Sequence, residues 1–209
     1  PFAMGILSGE IGIASNMAFY MGPGLSQGAI KAILKKANKE LKDKYLPKMI
    51  SGEWMGTMCL TEPQCGTDLG LIRTTAIPEE DYYKLNGQKI WISFGEHDLT
   101  ENIIHLVLAR LPDAPAGIKG ISLFLVPKRL DDNSRNPIFC GGLEHKLGIV
   151  SSPTCVMNMD DAKGWMIGEP NKGMEAMFLM MNDARLKVGL QGVAMSEIAY
   201  QNALDYAKN

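Results

Sequence analysis

The chain has 209 residues and a formal net charge of −2, with 21 lysines and arginines against 23 acidic residues. That balance offers no electrostatic footprint for nucleic acid or an anionic membrane surface. Hydrophobic residues make up 46% and charged residues 21%, the composition of a globular protein with a real core. The longer apolar stretches are cut by Gly, Asn or a charge before they reach bilayer length, and no signal peptide is visible. The four cysteines (Cys59, Cys65, Cys140, Cys155) form no Cys-x-x-Cys pair, and His97, His105 and His145 are scattered. Neither set has metal-ligand spacing, so buried free thiols in a reducing compartment are expected. The fourteen methionines read as adaptable core filler. The chain opens at Pro1 and stops at Asn209 inside a helical pattern, which reads as a piece of a longer protein.

Residues 3 to 21 are rich in Ala, Gly, Met and Ile with little charge, the pattern of a helix buried on most sides. A break is expected at Tyr20-Met21-Gly22-Pro23-Gly24, with Ser26 capping the next helix. That helix carries Ile30, Ile33, Leu34, Ala37 and Leu41 on one face and Lys31, Lys35, Lys39, Glu40 and Lys42 on the other, a solvated face. A short helix around Tyr45 to Ile50 follows, with Gly52 as its terminator.

From about Gly56 the period changes. Gly56 to Leu60, Leu71 to Ile77, Tyr82 to Ser93, Ile103 to Arg110, Ile121 to Pro127 and Thr154 to Met159 read as strands. Asn86-Gly87 is expected to be a hairpin turn, since both residues tolerate positive φ. Closely spaced strands divided by Gly and Pro predict a small β-sandwich or barrel. Gly173 onward reads as one helix to about Lys208, roughly 50 Å at about 1.5 Å per residue. Gly189 and Gly192 in its middle imply close packing against a neighbour outside this chain. The fold class is therefore α+β, a small β domain flanked by helical segments.

Two stretches carry chemistry. Met58-Cys59-Leu60 ends in Thr61-Glu62-Pro63, then a turn holding Gly66, Thr67 and Asp68. That is a strand entering a loop that offers backbone and hydroxyl groups to a ligand. Further on, Ile90-Trp91-Ile92-Ser93 places an indole and a hydroxyl on one face of a strand, which suits a flat heteroaromatic ring. Taken alone, either half reads rather as an ordinary turn and a core tryptophan.

Thr61-Glu62-Pro63-Gln64-Cys65-Gly66-Thr67-Asp68 followed by Asn86-Gly87-Gln88-Lys89-Ile90-Trp91-Ile92-Ser93 resembles the flavin-binding signature of the acyl-CoA dehydrogenase family. Ser51-Gly52-Glu53-Trp54, Lys146-Leu147-Gly148, Lys172-Gly173-Met174 and Arg185 match as well. Glu96-His97-Asp98-Leu99-Thr100-Glu101-Asn102 looks like a subgroup that includes 3-methylmercaptopropionyl-CoA dehydrogenases. The resemblance covers nearly the whole chain. It implies three parts: residues 1–55 ending an N-terminal helical domain, 56–168 a middle β domain, and 169–209 the first long helix of a C-terminal bundle.

The resemblance also implies a function: FAD-dependent oxidation of an acyl-CoA to the trans-2-enoyl-CoA, with an electron-transfer flavoprotein as acceptor. A homo-oligomer is expected, in a bacterial cytoplasm, or in a mitochondrial matrix or peroxisome if the source is eukaryotic. By the same resemblance Met58, Leu60, Thr61, Gly66, Thr67, Trp91 and Ser93 would contact FAD. Leu60 and Thr61 would face the pyrimidine edge, Ser93 would bond flavin N5 and Trp91 would cover a ring face. Thr67, Asn182 and Arg185 would lie near the acyl-CoA, although Arg185 reads equally as the partner of a carboxylate elsewhere. Some members carry the catalytic Glu just before that arginine. Here the position is Ala184, so the base is expected beyond Asn209 and the 209 residues alone are expected to be inactive. An acyl-CoA oxidase, a flavin monooxygenase or a module that lost its flavin are the alternatives on the same fold.

Overall fold

The structure is a computed structural model that describes residues 2–209. Helix α1 (Phe2–Lys36) and helix α2 (Lys39–Ser51) precede seven strands: β1 (Trp54–Cys59), β2 (Thr75–Pro78), β3 (Tyr83–Ser93), β4 (Asn102–Arg110), β5 (Ile121–Pro127), β6 (Ile138–Leu143) and β7 (Thr154–Ile167). Helix α3 (Gly173–Lys208) closes the chain. Pairing runs β1-β4-β2-β3-β7-β5, and β5 pairs back onto β4. The strands β4, β2, β3, β7 and β5 therefore form a closed ring, with β1 lying along β4 and β6 along β7.

Strand alternation splits the core in two. On β4, Val107 and Ala109 point inward, with Cys59, Leu85, Phe124, Cys155 and Met157. Its other residues, Ile104, Leu106 and Leu108, point outward and pack with Leu123 and Leu125 against Ile33, Tyr45, Met177 and Met180 of the helices. Both faces of β4 and β5 are thus covered, which is why these strands read as continuous apolar runs.

Several boundaries differ from expectation. Helix α1 runs straight through Gly22-Pro23-Gly24, and its break lies at Asn16 (φ −158, ψ 89). There the Asn16 carboxamide accepts the Phe19 N–H at 3.0 Å and caps the second half. Packing of α1 against α3 and β1 overrides the local breaking tendency of Gly and Pro. Ser26 is not a cap: its hydroxyl lies within the helix, and accepts the Gly56 N–H at 2.9 Å, tying α1 to β1. Asn38 caps α2 instead, accepting the Leu41 N–H at 2.9 Å. Gly52 ends α2 with φ 85, as expected.

Asn86-Gly87 is not a turn. It lies inside β3 at a bulge against β7. Gly87 has φ +150, and a Cβ there would sit 2.6 Å from the Thr74 hydroxyl oxygen, so glycine serves close strand approach rather than reversal. The β2–β3 reversal falls at Glu79–Tyr82, closed by the Glu79 N–H to the Tyr82 carbonyl at 2.9 Å. Residues 71–74 precede β2 rather than joining it, β7 continues to Ile167, and β6 was not expected. A Cβ on Gly189 or Gly192 would meet no atom among the described residues.

Candidate functional site

A cavity of about 480 Å³ opens where the end of β1, the loop after it and the end of β3 face α3. Its walls include Met58, Leu60, Thr61, Gly66, Thr67 and Trp91, with Met174, Phe178, Met181 and Arg185 from the helix. The lining is mostly apolar, with two threonine hydroxyls and one guanidinium, and no carboxylate among these residues. That is the composition of a site for a flat, largely apolar ligand fixed by a few polar groups. The donor set fits an isoalloxazine ring: an exposed indole to cover a face, and hydroxyl and backbone groups to meet a polar edge.

Trp91 is 61% exposed despite its size. The cause is local: Lys89 pairs with Met157 and Ile92 with Cys155, so β3 carries one extra residue, and Trp91 has φ 58. This bulge turns the indole out of the barrel and into the cavity wall. It also breaks the alternation that would have put Trp91 and Ser93 on one face. Ser93 pairs with Thr154 and does not line the cavity, whereas its neighbour Ile92 does.

On α3, the Arg185 guanidinium lies 5.6 Å from the centre of the Phe178 ring and donates to the Asn182 carboxamide oxygen at 2.9 Å. Asn182 itself lies outside the cavity and acts on it through Arg185. Ala184 faces a separate small space between α1 and α3, beside Tyr20 and Val188. The helix is pinned to α1 by Asp183, whose carboxylate pairs with both Lys31 and Lys187. Lys187 also donates to the Gly24 carbonyl at 2.9 Å. Burial opposes the charge on Asp183, but hydrogen bonds from the two lysines outweigh it and hold the carboxyl below its usual range.

Two charged residues of the motifs escaped the sequence reading as site residues. Glu62 is 3% exposed and Lys89 is fully buried, their charged groups 2.8 Å apart. Glu62 accepts further hydrogen bonds from the Arg73 N–H at 2.7 Å, the Thr74 N–H at 3.0 Å, the Thr74 hydroxyl at 2.5 Å and the Gln64 amide at 2.6 Å. Burial pushes its carboxyl up, but attraction to Lys89 and these hydrogen bonds carry it down to about 2. Burial lowers the Lys89 ammonium, with Glu62 opposing. The signal for the pair was present in the sequence: opposite charges inside two segments otherwise reading as buried strand ends.

A second clamp holds the far wall. Arg110 donates to the Ile72 carbonyl at 2.8 Å, to Gly70 at 2.6 Å and to Gly117 at 2.7 Å. These bonds join the segment carrying Leu69 to the one carrying Ile118, and both residues line the cavity.

Residues 57–162 match the family model described as acyl-CoA dehydrogenase, middle domain. The chain is 51% identical to the 3-methylmercaptopropionyl-CoA dehydrogenase of Ruegeria pomeroyi, over 100% of this chain and 37% of that protein. It is 44% identical to a butyryl-CoA dehydrogenase of Syntrophomonas wolfei, over 88% of this chain and 33% of that protein. The structure of butyryl-CoA dehydrogenase from Megasphaera elsdenii superposes with a TM-score of 0.84 at 27% identity, covering 98% of this chain and 52% of that one. The chain spans about a third of the length of the curated relatives it matches.

Proposed function

The chain belongs to the acyl-CoA dehydrogenase family, and from that premise we propose that its cavity receives the isoalloxazine ring of FAD in an enzyme that oxidises an acyl-CoA to the trans-2-enoyl-CoA. The observation that carries the reading is the convergence of Thr61, Thr67, Trp91 and Arg185, from three separated stretches of sequence, on one mostly apolar cavity. Thr61, Gly66 and Thr67 of the first motif and Trp91 of the second share its walls.

The residues take distinct roles in this reading. Trp91 covers a ring face and excludes water, which strengthens every polar interaction inside. Thr61 and the Leu60–Thr61 backbone donate to the ring's polar edge, where negative charge builds on reduction. Arg185, held by Phe178 and Asn182, attracts an anionic part of the cofactor or of the thioester's CoA arm. Thr67 serves the same end of the site. Ser93 stands one residue beyond the wall and bonds the ring only if its hydroxyl turns inward past Ile92. Bound in this site, FAD supplies the two-electron acceptor for the hydride leaving Cβ. With no carboxylate in the lining and Ala184 before Arg185, the base that takes the Cα proton comes from outside these residues.

Within this proposal, residues 1–55 close an N-terminal helical part, 56–168 form the middle domain and 169–209 open a C-terminal helical part. The enzyme is a cytoplasmic homo-oligomer that passes electrons to an electron-transfer flavoprotein. No helix among the described residues is long and apolar enough to cross a membrane.

The test is anaerobic addition of butyryl-CoA, and separately of 3-methylmercaptopropionyl-CoA, to the full natural protein loaded with FAD. Bleaching of the flavin's visible band by either thioester is expected. An unchanged spectrum with both would contradict the dehydrogenase reading, and rapid reoxidation by oxygen would redirect it to an oxidase.

A further inference from the structure

The function proposed above leaves the buried Glu62–Lys89 pair without a task. A buried ion pair is a weak source of stability, because desolvation of two charges offsets their attraction. The pair's contacts point elsewhere. The Lys89 ammonium donates to Glu62 at 2.8 Å and also to the Leu60 carbonyl at 3.0 Å. Leu60 and Thr61 both line the cavity.

The peptide between them is planar and trans, since no cis bond occurs among the described residues. Its carbonyl and its N–H therefore point in opposite directions. With the Leu60 carbonyl drawn onto Lys89, the Thr61 N–H is directed away from the ammonium. The next peptide is fixed as well: the Ile90 N–H holds the Thr61 carbonyl at 2.9 Å, and the Glu62 N–H is tied to the Cys65 carbonyl at 2.8 Å. Glu62 anchors Lys89 from behind, and is itself held by Arg73, Thr74 and Gln64.

We propose that Lys89 and Glu62 are positioning residues, which lock the Leu60–Thr61 peptide so that its N–H donates to the polar edge of the flavin in the cavity. The ammonium on the carbonyl also polarises that peptide and strengthens its N–H as a donor. A donor that meets growing negative charge stabilises the reduced ring more than the oxidised one. Lys89 thus raises both affinity for FAD and ease of reduction without touching the ring. The inference rests on the reading of the cavity as a flavin site.

The test compares the full natural protein with Lys89→Arg and with the double variant Glu62→Gln/Lys89→Met, which leaves no unpaired buried charge. FAD affinity and the reduction potential of the bound flavin are measured in each. The double variant is expected to bind FAD at least tenfold more weakly, with a more negative potential for whatever flavin it holds. Lys89→Arg, whose longer planar group cannot hold both partners at the same geometry, is expected to move both readouts in the same direction by less. Unchanged affinity and potential in folded variants would overturn the inference while leaving the flavin site standing. Failure of both variants to fold would assign the pair to stability and overturn it too. Absence of FAD uptake by the unsubstituted protein would remove the site reading, and this inference with it.

Discussion

The Ile90 N–H donates to the Thr61 carbonyl at 2.9 Å. Through this bond the loop leaving β1 lies alongside the end of β3, although the two are far apart in sequence. Just past the end of β1 and within the last residues of β3, the barrel gives way to a cavity walled by α3. The site therefore depends on two junctions, one inside the barrel and one between α1 and α3, and each makes its own predictions.

The inner junction predicts non-additive stability. Lys89→Met leaves Glu62 charged and buried without its partner, which costs roughly 3–5 kcal/mol. The double variant Glu62→Gln/Lys89→Met removes both charges and is expected to be more stable than Lys89→Met alone. Denaturant unfolding of the three proteins checks this. A double variant less stable than Lys89→Met would mean that the two residues do not act as a pair.

The outer junction turns on Asp183, which holds Lys31 of α1 and Lys187 of its own helix. Asp183→Ala is expected to destabilise by about 1–3 kcal/mol, less than a fully buried pair because Lys31 is half exposed. The loss should appear first as faster amide exchange along α3. Exchange on α3 indistinguishable from that of the unsubstituted protein would show that apolar packing alone docks the helix.

His105 predicts an acid-sensitive fold. Its ring is fully buried, its Nδ1 is 2.8 Å from the Thr57 hydroxyl, and Nε2 has no partner among the described residues. Burial drives its pKa from 6.5 down to about 3, with Glu96 opposing and Arg135, Lys128 and His97 adding to the fall. The folded state thus stays neutral where the unfolded chain binds a proton. Stability is complete above about pH 6.5 and is lost as pH falls towards 3, by about 1.4 kcal/mol per pH unit. Glu62, lowered to about 2, acts in a more acidic window, from its unfolded value near 4.5 downward. His105→Gln should flatten the slope between pH 6 and 4, measured by unfolding at stepped pH. An identical slope in the variant would remove His105 as the cause.

Gly87 makes a steric prediction. With φ +150 and Thr74 against it, Gly87→Ala is expected to cost more than about 1 kcal/mol, and to loosen Thr74 from Glu62. Thermal unfolding measures it. A neutral effect would mean that β2 can shift away without loss.

Much of this was legible in the sequence. The strands with long apolar runs, β4 and β5, fall at the expected places, because burial on both faces leaves a plain apolar record. The long helix α3 is equally clear, since no proline interrupts it and the helical period carries through Gly189 and Gly192. Asn86-Gly87 misled because a dipeptide that tolerates positive φ serves a bulge as well as a turn, and only the approach of Thr74 decides between them. The kink at Asn16 was hidden by the louder Gly22-Pro23-Gly24, which tertiary packing keeps helical. At the site, Thr61, Thr67, Trp91 and Arg185 were legible as motif residues. The displacement of Ser93 was not, because it follows from a one-residue bulge that leaves no compositional mark.

The most direct measurement is FAD retained per chain by the full natural protein after gel filtration, compared with its Trp91→Ala variant. Trp91 is largely exposed, so its loss should change stability by no more than about 0.5 kcal/mol while stripping the wall that covers the ring. Near-stoichiometric flavin in the natural protein, and a loss of at least tenfold in affinity in the folded variant, is the predicted result. No flavin in the natural protein, or full retention without the indole, would contradict the assignment of this cavity to the isoalloxazine.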